Sequence, residues 1–110
     1  MAKQLTLSFE GQDYTLEFTR KSIEKMEQAG FVIGDAMEKP MTTLPTLFAG
    51  SFLAHHKWVK QDTIDKIYAE IPNKEDFFGK LVEMYAEPIE ALFDEPKGEA
   101  EKNAQWVANF

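Results

Sequence analysis

Few residues in this chain have the type and spacing that chemistry needs. His55 and His56 are the only histidines. Adjacent residues on a helix point about 100° apart, so the pair makes a poor chelate. Zinc-binding helices place their ligands three or four positions apart. The sequence therefore predicts a partly buried His55 and a solvent-facing His56 rather than a metal site. Asp62 and Asp65 can be imagined as a catalytic pair of carboxylates. They fall at an expected helix start, where the dipole and the free N–H groups stabilise acidic side chains, so capping is their expected role. There is no Gly-rich phosphate loop, no Ser–His–Asp signature and no HExxH. With zero cysteines the chain has no disulfide, thiolate metal site or cysteine nucleophile. No catalytic residue, metal or cofactor is expected, and the function has to be sought in surfaces.

Two surfaces stand out. The first is acidic. The formal charge is −7, and residues 83–110 hold 7 acidic and 2 basic groups against 12 and 10 in residues 1–82. At about 100° per residue, Glu83, Glu87, Glu90 and Asp94 fall on one side of a helix. Like charges four apart cost roughly 0.2–0.5 kcal/mol per pair, which Lys80 offsets in part from one turn below Glu83. The plain reading is a solvated face; the functional one is a surface for a basic partner. Such charge repels phosphate backbones, so nucleic acid is not an expected partner. The second surface is the aromatic end, "QWVANF". A helical turn there would present Trp106 and Phe110 on one side with Val107 beside them, as amphipathic segments do when they dock in grooves. Packing back on the same domain, or on a partner or second copy, are the two roles open to it.

The elements that must position these groups follow from periodicity. Hydrophobic content of 44% with 13% aromatic is ample for one compact domain. No apolar run approaches the roughly 20 residues that span a bilayer, and the N-terminus lacks a signal-peptide core, so a cytoplasmic protein is expected. "LTLSFEGQDYTLEF" alternates apolar and polar about a Gly. A type II′ turn at Gly11-Gln12 would pair Phe9 with Tyr14, Leu7 with Leu16 and Leu5 with Phe18. Thr19 is expected to cap a first helix that Gly30 stops, with Phe31 folding back onto Met26. Residues 32–41 read as a loop or one short turn. A second helix is expected from Thr42 or Thr43, with Pro45 in its first turn. Its apolar stripe comprises Leu44, Leu47, Phe48, Phe52 and His55, and Gly50 would allow a neighbouring backbone to approach.

Trp58 and Val59, in the loop before the third helix, read as a staple to the core, with exposure as the alternative. Asp62 would cap a third helix bearing Ile64, Ile67, Tyr68 and Ile71. Asn73 would cap a fourth, whose stripe is Phe78, Leu81, Tyr85, Ile89 and Leu92 and which keeps phase across Pro88. The expected fold is α+β and mainly helical: an N-terminal β-hairpin followed by about four helices in residues 1–94. An acidic linker and aromatic tail would then occupy residues 95–110.

The order of these elements carries a resemblance. "LTLSFEGQDYTLEFTRKSIEKMEQAGF", "LPTLFAGSFLAHH" and "KLVEMYAEPIEALFDE" resemble the small tail assembly chaperones of long-tailed, siphovirus-type phages and prophages of Gram-positive bacteria, over roughly residues 5–95. The resemblance implies a non-catalytic protein of the host cytoplasm, absent from the finished virion. It implies the tape measure protein as client, the major tail protein as a second candidate partner, and a homo-oligomer without nucleic acid or membrane. Partner contacts are expected from Trp106, Val107 and Phe110, from Phe48 and Phe52 unless these are core, and from the acidic frame of Glu83, Glu87 and Glu90. Two alternatives are an acidic inhibitor that mimics DNA and a structural head–tail connector component.

Overall fold

The computed structural model describes residues 3–94 and 106–110. It is α+β and mainly helical. Strands β1 (Leu5–Phe9) and β2 (Gln12–Leu16) form an antiparallel hairpin. Helices α1 (Arg20–Gln28), α2 (Pro40–Gly50), α3 (Gln61–Glu70) and α4 (Lys74–Ala91) follow, with a 3₁₀ turn at Ile33–Ala36 between α1 and α2. The expected linker at 95–105 lies outside the described residues.

The hairpin turns one residue earlier than its sequence suggests. Glu10 and Gly11 are the central residues, with φ of 50° and 79°. Positive φ at both positions marks a type I′ turn, whose twist matches that of the strands. Leu5 therefore pairs with Leu16, Leu7 with Tyr14 and Phe9 with Gln12, a register two residues away from the expected one. Side chains alternate with period two, so this shift leaves each on its expected face. Leu5, Leu7, Phe9 and Tyr14 still pack on the core, and Leu16 lies within it.

Helix α1 begins and ends as its sequence dictates. The Ser22 N–H donates to Thr19 Oγ1 at 3.0 Å, and the Thr19 N–H donates to Ser22 Oγ at 2.9 Å, a reciprocal capping box. At the other end Gly30 takes φ 99°. The Phe31 N–H reaches back to the Met26 carbonyl, and that of Gly30 to Glu27, both at 2.9 Å. This pair of bonds is a Schellman motif, and it delivers Phe31 to the core beside Met26.

Helix α2 is the central element and touches the 3₁₀ turn, α1, α3 and α4. It starts at Pro40, earlier than expected, because proline is well placed at the first helical position. Pro45 therefore lies inside the helix rather than in its first turn. Leu47, Phe48 and Phe52 are fully buried. The Phe48 ring meets Phe52 at 5.2 Å, Phe77 at 5.6 Å and Tyr68 at 5.8 Å between centroids, separations at which edge-to-face packing is favourable. Gly50 is approached by a side chain, not a backbone. A Cβ there would lie 2.5 Å from both Sδ and Cε of Met26.

The later helix ends differ from expectation in their caps. Lys60, not Asp62, occupies the N-cap of α3, and Asp62 stands in the first turn, where its charge still suits the dipole. Asn73 is at the N-cap of α4 but in the left-handed region, with φ 50°, and its side chain makes no capping bond. Helix α4 runs through Pro88 as one piece. Leu81, Met84 and Tyr85 are its buried residues, and Ile64, Ile67 and Ile71 come from α3 and its end. Phe78 and Ile89 are only partly buried, and Leu92 lies beyond the helix and is exposed.

Candidate partner-binding surface

The two histidines exchange their expected roles. His56 is the more enclosed, its ring 5.2 Å from that of Tyr14. The Thr15 N–H donates to His56 Nε2 at 2.9 Å, so that ring nitrogen serves as an acceptor. His55 is more exposed and places Nε2 2.6 Å from Glu17 Oε1. Gln4 Nε2 donates to the same oxygen at 3.0 Å. Burial pushes the Glu17 carboxyl up. The bonds from His55 and Gln4 and the charge of His55 outweigh it and hold the group below its ordinary value of 4.5. The histidines are thus structural ties between β2 and the segment after α2. Among the described residues no group of three or more His, Asp or Glu side chains could hold a metal ion.

These ties bear on association. The Thr15 N–H goes to His56, and the Glu17 N–H donates to the Ser51 carbonyl at 3.0 Å. In an antiparallel hairpin, donors not used by the partner strand point away from it. The outward donor of Thr15 and that of Glu17 just past the strand are therefore taken by bonds within the fold.

Phe48 and Phe52, expected as alternative partner contacts, are core and offer no surface to another molecule. Trp58 is not the expected staple: it is 81% exposed, with Lys57 Nζ 4.8 Å from the ring centroid, while Val59 alone packs on the core. Among the described tail residues Trp106, Val107 and Phe110 are exposed and adopt no helix, so the expected helical turn is absent there.

The acidic face of α4 divides in two. Near its middle, Lys3 neutralises it. The Lys3 N–H donates to Glu87 Oε1 at 2.8 Å, and Lys3 Nζ lies 3.7 Å from Glu83. Lys80 lies 3.7 Å from Glu83 on the other side. Nearer the helix end, Glu90 and Asp94 have no ion-pair partner among the described residues. They line an open groove of about 520 Å³ whose apolar lining is Phe18, Pro88 and Ala91, with Glu17 and Glu87 completing it. Beside it, Leu92 is exposed, and Phe93 is 80% exposed. The sequence stripe includes Leu92 but misses Phe93. The signal for Phe93 is its place one residue beyond that stripe, about 100° around the helix and next to Asp94.

Among the described residues no helix is long and apolar enough to cross a membrane. The arrangement offers exposed apolar side chains beside the carboxylates of Glu90 and Asp94. The searches of curated proteins and of solved structures found no match. A family model covers the chain end to end: the protein belongs to the family described as "Domain of unknown function (DUF5055)", which matches residues 1–110.

Proposed function

We propose that this protein is a non-catalytic tail assembly chaperone of a phage or prophage, one that binds and solubilises the tape measure protein in the bacterial cytoplasm. The observation that carries the reading is the exposure of Leu92, Phe93, Trp106, Val107 and Phe110 in a part of the chain whose carboxylates include Glu90 and Asp94. Isolated exposed apolar residues are ordinary. Large apolar groups gathered near one end of a strongly acidic chain suit a holdase: the apolar atoms hold a sticky client and the charge keeps the complex dispersed.

The client surface is the C-terminal one, because Phe48 and Phe52 are committed to the core. The DNA-mimic alternative is disfavoured by Lys21, Lys25 and Lys57, which line a basic cleft next to the acidic groove and interrupt any continuous negative surface. Co-expression tests the proposal. The long tape measure protein should stay soluble with this chain and precipitate without it. A chain ending at Asp94 should bind it less well. A client equally soluble without this chain overturns the chaperone reading, and equal binding by the shortened chain removes the tail from it.

A further inference from the structure

Helices α1 and α4 leave an apolar furrow between them. At one end Ile23 of α1 and Pro88, Ile89 and Leu92 line a hollow of about 220 Å³, with Glu24 and Glu27 on its α1 side. At the other, Tyr85 and Ile89 face Phe31, Val32 and Ile33 across a hollow of about 340 Å³. Glu27 and Ile89 line both. Tyr85, Ile89 and Leu92 follow one another at steps of four and three, and so do Arg20, Glu24 and Glu27. Each set is one stripe along its helix, so the two hollows open on the same side and form one furrow. From Tyr85 to Leu92 it runs about 10 Å. Its apolar walls are open: Val32 is 55% exposed and Leu92 52%.

The same chain carries an apolar set that nothing covers. Trp106, Val107 and Phe110 are exposed, and one helical turn puts Trp106 and Phe110 on one side with Val107 beside them. The Leu92 end of the furrow is where the chain leaves α4. Trp106 is 12 residues beyond Asp94, a stretch that spans at most about 40 Å, so the whole furrow is within its reach. Residues 102–110 contain no acidic side chain, so Glu24 and Glu27 do not repel them. We propose that residues 106–110 dock in this furrow of their own chain as an amphipathic turn, and that the structure describes the undocked form. Tethering raises the effective concentration of the segment to the order of 1 mM, so a contact too weak to hold a free peptide still closes. Closure covers the three tail side chains and Leu92 together. A partner of the aromatic end must displace this internal contact, and its apparent affinity falls in proportion to the undocked fraction. The latch rests on the chain's own residues and not on the chaperone reading, and its test needs no client.

The test reads Trp106 directly, in the full chain carrying Trp58→Phe, where it is the only tryptophan. Circular dichroism checks folding. Trp106 should emit to the blue of free tryptophan and resist quenching by acrylamide. Val32→Lys with Leu92→Lys places two charges on exposed walls of the furrow, so emission should move to the red and quenching should rise. Met37→Lys with Met41→Lys alters exposed residues that line neither hollow and should leave both readings unchanged. Doubling the length between Asp94 and Trp106 with a Gly/Ser insert should lower the docked-to-free ratio about threefold. Dilution should change nothing, because the contact is internal. The proposal is overturned if Trp106 emits and quenches as free tryptophan in the parent chain, if the two methionine changes act as strongly as the furrow pair, or if the docked-to-free ratio ignores the insert. A blue shift that fades on dilution overturns it too, since the segment would then sit on a second copy.

Discussion

Glu17 Oε1 lies 2.6 Å from His55 Nε2, and this one contact ties the end of the hairpin to the segment leaving α2. Two further bonds run in parallel, Thr15 to His56 and Glu17 to Ser51. The hairpin therefore docks through its backbone as well as through its apolar face. A two-stranded ribbon is marginal alone, so this attachment decides whether it persists.

That pair should show in the acid stability of the protein. The Glu17 carboxyl is held below 4.5 in the folded state. The stability it confers is complete above the unfolded value and is lost as pH falls through the lower folded value. Glu17→Gln should lower the urea midpoint at neutral pH, and the gap from wild type should close as pH drops below 4.5. A gap that is constant from about pH 7 to about pH 3 would assign the effect to packing instead.

Phe52→Ala empties a site at the centre of the aromatic cluster. It should cost about 3–5 kcal/mol in urea unfolding. Partner binding, expressed per folded molecule, should be unchanged, because Phe52 is not at the surface.

Gly50→Ala sets two effects against each other. Alanine favours a helix by up to about 1 kcal/mol, less at the last residue of α2. The new methyl would meet Met26 at 2.5 Å, and overpacking costs about 1–3 kcal/mol. The single variant should be destabilised by about 1 kcal/mol. In a Met26→Ala background the same change should become neutral or favourable, and a double-mutant cycle from denaturation midpoints reads the coupling.

Glu10→Asn should stabilise the hairpin by roughly 0.5–1 kcal/mol, because Asn-Gly suits a type I′ turn and Asn tolerates the left-handed region. Gly11→Ala should do the reverse, since its φ is 79°. Thermal unfolding separates the two, and equal behaviour would count against the turn assignment.

The order of elements was legible because each carries strong local grammar. Thr19 and Ser22 cap α1, Gly30 stops it, and alternation marks both strands. What the chain does not encode locally was misread. The turn shifted by one residue and the register by two because Gly11 suits both hairpin turns, as the first central residue of type II′ or the second of type I′. The start of α2 moved to Pro40 because proline is read equally well as a breaker or as a first residue. The histidines exchange roles because a helical stripe does not reveal the outward Thr15 donor on β2 that His56 satisfies. Between staple and exposure the sequence does not decide for Trp58, because its position depends on the path of a loop, and loops have no period.

Lys3 at one end of the described fold holds Glu87 near the other, and Leu5, Leu7 and Leu16 share one apolar cluster with residues as late in the chain as Tyr85. During synthesis the hairpin is complete once residue 16 has emerged, but its apolar face stays uncovered until Tyr85 follows. At 5–20 residues per second that is a wait of roughly 3–14 s. The nascent ribbon is thus briefly an adhesive surface. The side chains on its other face, Thr6, Ser8, Asp13 and Thr15, are polar, so only one side of the ribbon is adhesive.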